Sequence, residues 1–98
     1  MSKSIKSETM DEFFEAVLSL GDIDECYKFF EDVCTVNELG AMSQRLKVAK
    51  MLNEGHTYLD IACETGASTA TIGRVNRTIN GGEDGYAMVL KRISEKKD

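Results

Sequence analysis

The chain has 98 residues with no proline and no tryptophan, which leaves room for one small domain at most. No stretch of about 18 apolar residues exists to span a membrane, and long alternating β-branched runs are absent, so the expected class is all-α. The net charge of −5 argues at first sight against a nucleic-acid partner.

The opening stretch MSKSIKSETM has no apolar core of the kind a secretory signal carries. Met10, Phe13, Phe14, Val17 and Leu18 then repeat at i, i+3, i+4, i+7 and i+8, the face of a first helix. Thr9 is its expected N-cap, with Glu12 three residues on completing a capping box, and Gly21 its expected end. Asp22 caps a second helix with Glu25 in the matching position, and its stripe is Ile23, Cys26, Tyr27, Phe30, Val33 and Cys34. Thr35 caps a third with Glu38, running to about Asn53 with Leu39, Met42, Leu46, Ala49 and Leu52 inward. Gly55 stops it.

The stretch from Thr57 to Ile79, TYLDIACETGASTATIGRVNRTI, organises the rest. It reads as two short helices joined by a tight turn, capped by Thr57 and Ser68. Counted from Tyr58, a small residue stands fifth (Ala62) and a glycine ninth (Gly66), the spacing of a helix-turn-helix. Ala62 allows a close helix crossing, and Gly66 fits a turn with positive φ. Ile61, Ala67, Ile72 and Val75 supply a small core. The outward side chains Ser68, Thr69, Thr71, Arg74, Asn76 and Arg77 are of types that meet phosphates and base edges. Asn80, Gly81 and Gly82 break the chain, and a sixth helix starts near Glu83 with Tyr86, Val89, Leu90 and Ile93 on one face. The tail SEKKD is expected to fray.

The charge divides along this plan. Residues 1–40 hold three lysines against ten acids, a local charge of −7. Residues 41–82 hold Arg45, Lys47, Lys50, Arg74 and Arg77 against three acids, a local charge of +2, and residues 83–98 are neutral. A phosphate backbone senses charge within a Debye length of about 8–10 Å, so the local value is the relevant one. Lys47 and Lys50 on the third helix are further candidates for phosphate contact. Phe13, Phe14, Phe29 and Phe30 fall within 18 residues, more aromatic surface than two short helices hide alone. The expected solution is a dimer through residues 1–34.

Other chemistry lacks support. Cys26, Cys34 and Cys63 are odd in number and not spaced as metal ligands, so reduced, partly buried cytoplasmic thiols are expected. His56 has no carboxylate or cysteine at catalytic or metal spacing and reads as a loop residue. The Asn80–Gly82 run precedes no P-loop lysine and reads as a helix break. No acid–base or nucleophile constellation exists, so no enzyme and no metal are expected.

TVNELGAMSQRLKVAKMLNEG, ETGAS and above all TATIGRVN resemble the tryptophan repressor family, closest to its YerC/YecD branch. The resemblance runs from about Thr35 to Asn80, with a compatible helical pattern on both sides. It implies a single six-helix, all-α domain over residues 1–98, forming an intertwined homodimer: dimerisation helices in 1–34, the helix-turn-helix in 57–79 and a last helix in 83–95. It implies a DNA-binding transcriptional regulator, a repressor, whose partner is double-stranded operator DNA. Ser68 to Ile79 corresponds to the helix that enters the major groove, and Ala70, Thr71 and Ile72 align with its base-facing start.

The two arginines that clamp the repressor's amino-acid corepressor have counterparts in Arg45 and Arg74, and a threonine at the mouth of that pocket aligns with Thr35. Two positions depart. Val75 stands where the repressor has a glycine beside the bound ligand, and Gly73 where it has a threonine. Fold and DNA binding survive these changes; tryptophan as corepressor is the expectation they weaken, leaving either no cofactor or a different small anion such as another amino acid. The alternative function is a small helical protein-interaction module whose helix-turn-helix no longer reads DNA.

Overall fold

A computed structural model describes residues 4–96, which form six α-helices and, among the described residues, no strand. They are α1 (Glu8–Leu18), α2 (Ile23–Val33), α3 (Val36–Asn53), α4 (Tyr58–Thr65), α5 (Thr69–Gly81) and α6 (Gly85–Lys96). Two compact units divide the chain at the start of α3, between Val36 and Asn37.

The first unit contains α1 and α2. Ser7, not Thr9, caps α1, its hydroxyl accepting from the Met10 amide at 3.0 Å. A start at Ser7 admits Glu8 and Asp11 to the first turn, where the helix dipole favours acids. The helix ends at Leu18, with Ser19 as C-cap rather than Gly21. Gly21 instead belongs to the start of α2: Asp22 accepts from the Glu25 amide at 2.9 Å, and the Glu25 carboxylate accepts from the Gly21 amide at 2.6 Å. These reciprocal bonds form a capping box shifted by one residue.

The four phenylalanines form one aromatic cluster. Phe13 lies 5.8 Å from Phe14, 5.9 Å from Phe29 and 6.4 Å from Phe30 between ring centroids. Phe29, absent from the expected stripe, thus turns into the cluster, while Ile23, Cys26, Tyr27 and Val33 remain exposed. No residue of α1 or α2 is fully buried.

The second unit holds the core: Val48, Ala49, Met51, Ile61, Ala67, Ile72 and Val75, with Leu52, Ala62, Ile79, Tyr86 and Leu90 packed against it. All four expected core residues of the helix-turn-helix are buried. On α3 the expected stripe holds at Leu39, Leu46, Ala49 and Leu52, which are half-buried or buried, and fails at Met42. Ala49 is buried and Leu52 half-buried, but Val48 and Met51 carry the contact, while Met42 is exposed. The reason is that α3 is apolar on two faces. One packs on the core; on the other, Leu46 lines an open groove with Ala87, Leu90 and Ile93 of α6.

The α3 terminus closes as a Schellman motif. Gly55 has φ 86°, its amide bonds the Leu52 carbonyl, and the His56 amide reaches back to Met51. Near the other end, α5 runs on through Gly81, so the expected break at Asn80 falls later. Asp84 takes φ 64°, which a right-handed helix cannot contain, so α6 starts at Gly85 rather than Glu83. Ser94 to Lys96 remain helical; the last two residues of the expected frayed tail lie outside the described residues.

Of the cysteines, Cys34 is half-buried, but Cys26 and Cys63 are exposed, and all three are free. No helix among the described residues is long and apolar enough to cross a membrane.

Candidate nucleic-acid interface

The interface is built on α4, the turn after it, and α5. Thr57 caps α4, accepting from the Asp60 amide at 3.1 Å. Gly66 ends it with φ 75° and ψ 4°, its amide donating to the Ala62 carbonyl. Thr65 stiffens the turn from both sides: its hydroxyl donates to the Ile61 carbonyl at 2.7 Å and accepts from the Ala67 amide at 3.1 Å. The Gln44 side-chain amide donates to the Thr65 carbonyl at 3.1 Å, tying α3 to the turn. Neither Gln44 nor Thr65 stands out in the sequence. A threonine before the turn glycine is a weak local signal for Thr65; the Gln44 bond spans 21 residues and has none.

Ser68 caps α5, accepting from the Thr71 amide at 3.1 Å, and its hydroxyl pairs with that of Thr71 at 3.1 Å. The underside of α5 is fixed by buried Ile72 and Val75. With those two inward, a period of 3.6 residues sends Ala70, Arg74 and Arg77 outward, and all three are exposed, as is Thr69. Asn76 is half-buried, its side-chain oxygen 3.5 Å from the Asn80 amide nitrogen. The first turn of α5 carries no acid, whereas those of α1, α2, α3 and α4 do. Its positive dipole end therefore stays uncompensated by side chains.

Of the sequence-predicted DNA-contacting residues, the structure brings Ser68, Thr69, Ala70, Thr71, Arg74, Asn76 and Arg77 together on this helix. Ser68 and Thr71 spend hydroxyl capacity on each other, which leaves Thr69, Ala70, Arg74 and Arg77 as the freest surface. Lys47 and Lys50 stand apart from them, on α3, lining the groove shared with α6. Among the described residues, none of Arg45, Lys47, Lys50, Arg74 and Arg77 forms an ion pair; the His56 imidazole lies 3.6 Å from the Glu54 carboxylate.

The residues of the expected corepressor pocket are placed as follows. Arg45 on α3 and Arg74 on α5 are both exposed, Thr35 belongs to the first unit, and Val75 is only 3% exposed. No group of three or more His, Cys, Asp or Glu among the described residues is placed to hold a metal ion.

Comparison with known proteins places this geometry in a lineage. Residues 8–94 match the family model described as Trp repressor protein. A Bacillus subtilis (strain 168) protein of uncharacterised function, YerC, is 53% identical over 91 residues, covering 93% of this chain and 88% of its own length. The crystal structure of a TrpR-like protein from Eubacterium eligens ATCC 27750 superposes with a TM-score of 0.90 at 59% identity, covering 92% of this chain and 93% of the other. A crystal structure of a candidate Trp repressor from Staphylococcus aureus gives 0.89 at 51% identity, covering 92% and 90%.

Proposed function

The chain belongs to the Trp repressor family, and from that premise we propose that it is a sequence-specific regulator of transcription, a repressor that binds operator DNA as a homodimer. The family is one of DNA-binding regulators rather than enzymes. The observation that carries the reading is the outward surface of α5. Arg74 and Arg77 stand exposed and unpaired beside Thr69 and Ala70, on a helix whose opposite side is locked by Ile72 and Val75.

In the proposed complex, α5 enters the major groove by its N-terminal end. Thr69 and Ala70 meet base edges, and Arg74 and Arg77 reach phosphates or guanine. Ser68, Thr71 and Asn76 support this surface, while Lys47 and Lys50 neutralise phosphate from α3. Two copies present two such helices to successive major grooves, about 34–36 Å apart on a roughly palindromic site. Occupying a promoter in this way blocks polymerase. The exposed apolar residues of α1 and α2 favour pairing of two chains.

Tryptophan is not the proposed switch. The buried Val75 side chain is part of the protein's own core, at the position where the resemblance puts a glycine beside the indole. Arg45, Arg74 and Thr35 are the residues that a different small anion would use. Thermal shift with tryptophan and other amino acids is the check, and no stabilisation by any of them makes the protein a constitutive binder.

Selecting bound fragments from the host genome, then measuring affinity across a salt series, tests the function. The expected result is a preferred fragment whose log affinity falls linearly with log salt. Arg74→Ala should weaken binding and reduce that slope by about 2, one phosphate contact from each copy. If no fragment is preferred and Arg74→Ala binds like the parent, the reading fails; a salt-insensitive chain that retains a protein partner would be an interaction module instead.

A further inference from the structure

We infer that Gly73 is the point of closest approach between α5 and DNA, a residue that sets how deeply the recognition helix seats; the inference rests on the DNA-binding reading above. A glycine in mid-helix needs a reason, because it costs stability relative to alanine. Two ordinary reasons are absent. The backbone does not require it: the positive-φ glycines are Gly55 and Gly66, and Gly73 is in plain helical conformation. Internal packing does not require it either. A Cβ added at Gly73 would have one neighbour within 4 Å, the Arg77 Nη1 at 3.6 Å, which is ordinary van der Waals contact with the end of a flexible side chain.

What remains is an external body that needs the space. Gly73 lies between Ala70 and Arg77 on adjacent turns, both exposed, and beside Arg74. With no side chain at 73 and only a methyl at 70, the helix backbone can come against base edges. The Arg77 guanidinium, folded back over Gly73, is then held low in the groove rather than splayed from it. A methyl at 73 would leave the free protein undisturbed and lift the helix from the groove floor.

This predicts opposite signs for stability and binding in one variant. Gly73→Ala should raise Tm by about 4–8 °C, the shift expected for a helix-interior glycine replaced in a domain of this size. The same variant should bind the parent's selected fragment about fivefold more weakly or worse, the loss of roughly one good base contact. Repeating the substitution in an Arg77→Ala background separates the methyl from the arginine beside it. A penalty that persists there supports direct approach to DNA.

Three results overturn the inference. A penalty that vanishes with Arg77 removed shows that the methyl acted only through the guanidinium. Unchanged fragment affinity in Gly73→Ala shows that nothing approaches at 73, while salt-sensitive binding by the parent would leave the DNA-binding reading standing. A fall in Tm shows that the glycine serves the chain's own packing. A parent with no salt-sensitive fragment preference removes the reading itself and this inference with it.

Discussion

Gly66 and Gly73 lie seven residues apart and carry opposite meanings. Gly66 holds φ 75° at the turn between α4 and α5, a conformation where a Cβ crowds the following carbonyl. Gly66→Ala should therefore destabilise the protein by about 1–2 kcal/mol, read as a lower midpoint in urea unfolding with unchanged slope. The same substitution at Gly73 is expected to stabilise, so the pair separates backbone necessity from the requirements of a partner. Arg74 and Val75 show a comparable split between neighbours. One residue along a helix turns about 100°, so Arg74 is exposed while Val75 is buried beneath it. That burial makes Val75 part of the core that holds α5 in place.

At the scale of elements, the caps decide where surfaces begin. Ser68 fixes the first turn of α5 through the Thr71 amide, and Thr69 and Ala70 sit in that turn. Ser68→Ala should cost about 0.5–2 kcal/mol and fray the turn. Faster amide hydrogen exchange at residues 70–72, together with weaker DNA binding, is the expected outcome; unchanged exchange would mean that the turn is held by other contacts. Caps of this kind were legible in the sequence at Asp22, Thr57 and Ser68, because the signal and the bond lie within three residues of each other. The start of α1 was not, since Ser7 and Thr9 offer similar hydroxyls and either start puts two acids in the first turn, Glu8 and Asp11 after Ser7 or Asp11 and Glu12 after Thr9. The faces of α3 were harder still. Apolar residues on two sides give no single stripe to follow, and only the packed structure shows Val48 and Met51 against the helix-turn-helix. The helix-turn-helix itself was fully readable, since Ala62, Gly66 and the four core positions are fixed by local spacing. The Gln44 tie to Thr65 was not, because nothing in either residue announces a bond across 21 positions.

For the molecule as a whole, charge and apolar surface point in the same direction. The acids concentrate in the first 40 residues, which carry a net −7, while residues 41–82 carry +2 and residues 83–98 are neutral, so the middle of the chain suits a polyanion best. A local charge of +2 is modest for that task, and pairing two copies doubles the phosphates engaged. The first unit supplies the motive for pairing. It has no fully buried residue in either helix, yet Leu18 is 82%, Ile23 73% and Tyr27 64% exposed. Such side chains contribute about 1.5–3 kcal/mol each only when buried, so three of them turned outward favour a second chain packed over them. Sedimentation equilibrium should therefore report a dimer for the parent. Leu18→Glu combined with Ile23→Glu replaces two side chains that already face outward, so helix content by circular dichroism should hold while the species shifts toward monomer. In the proposed complex two recognition helices engage together, so fragment affinity should fall with dimer content and recover as protein concentration rises. A parent that sediments as a monomer at every concentration, or a double variant that dimerises and binds like the parent, would remove α1 and α2 as the seam and leave each helix-turn-helix to bind alone.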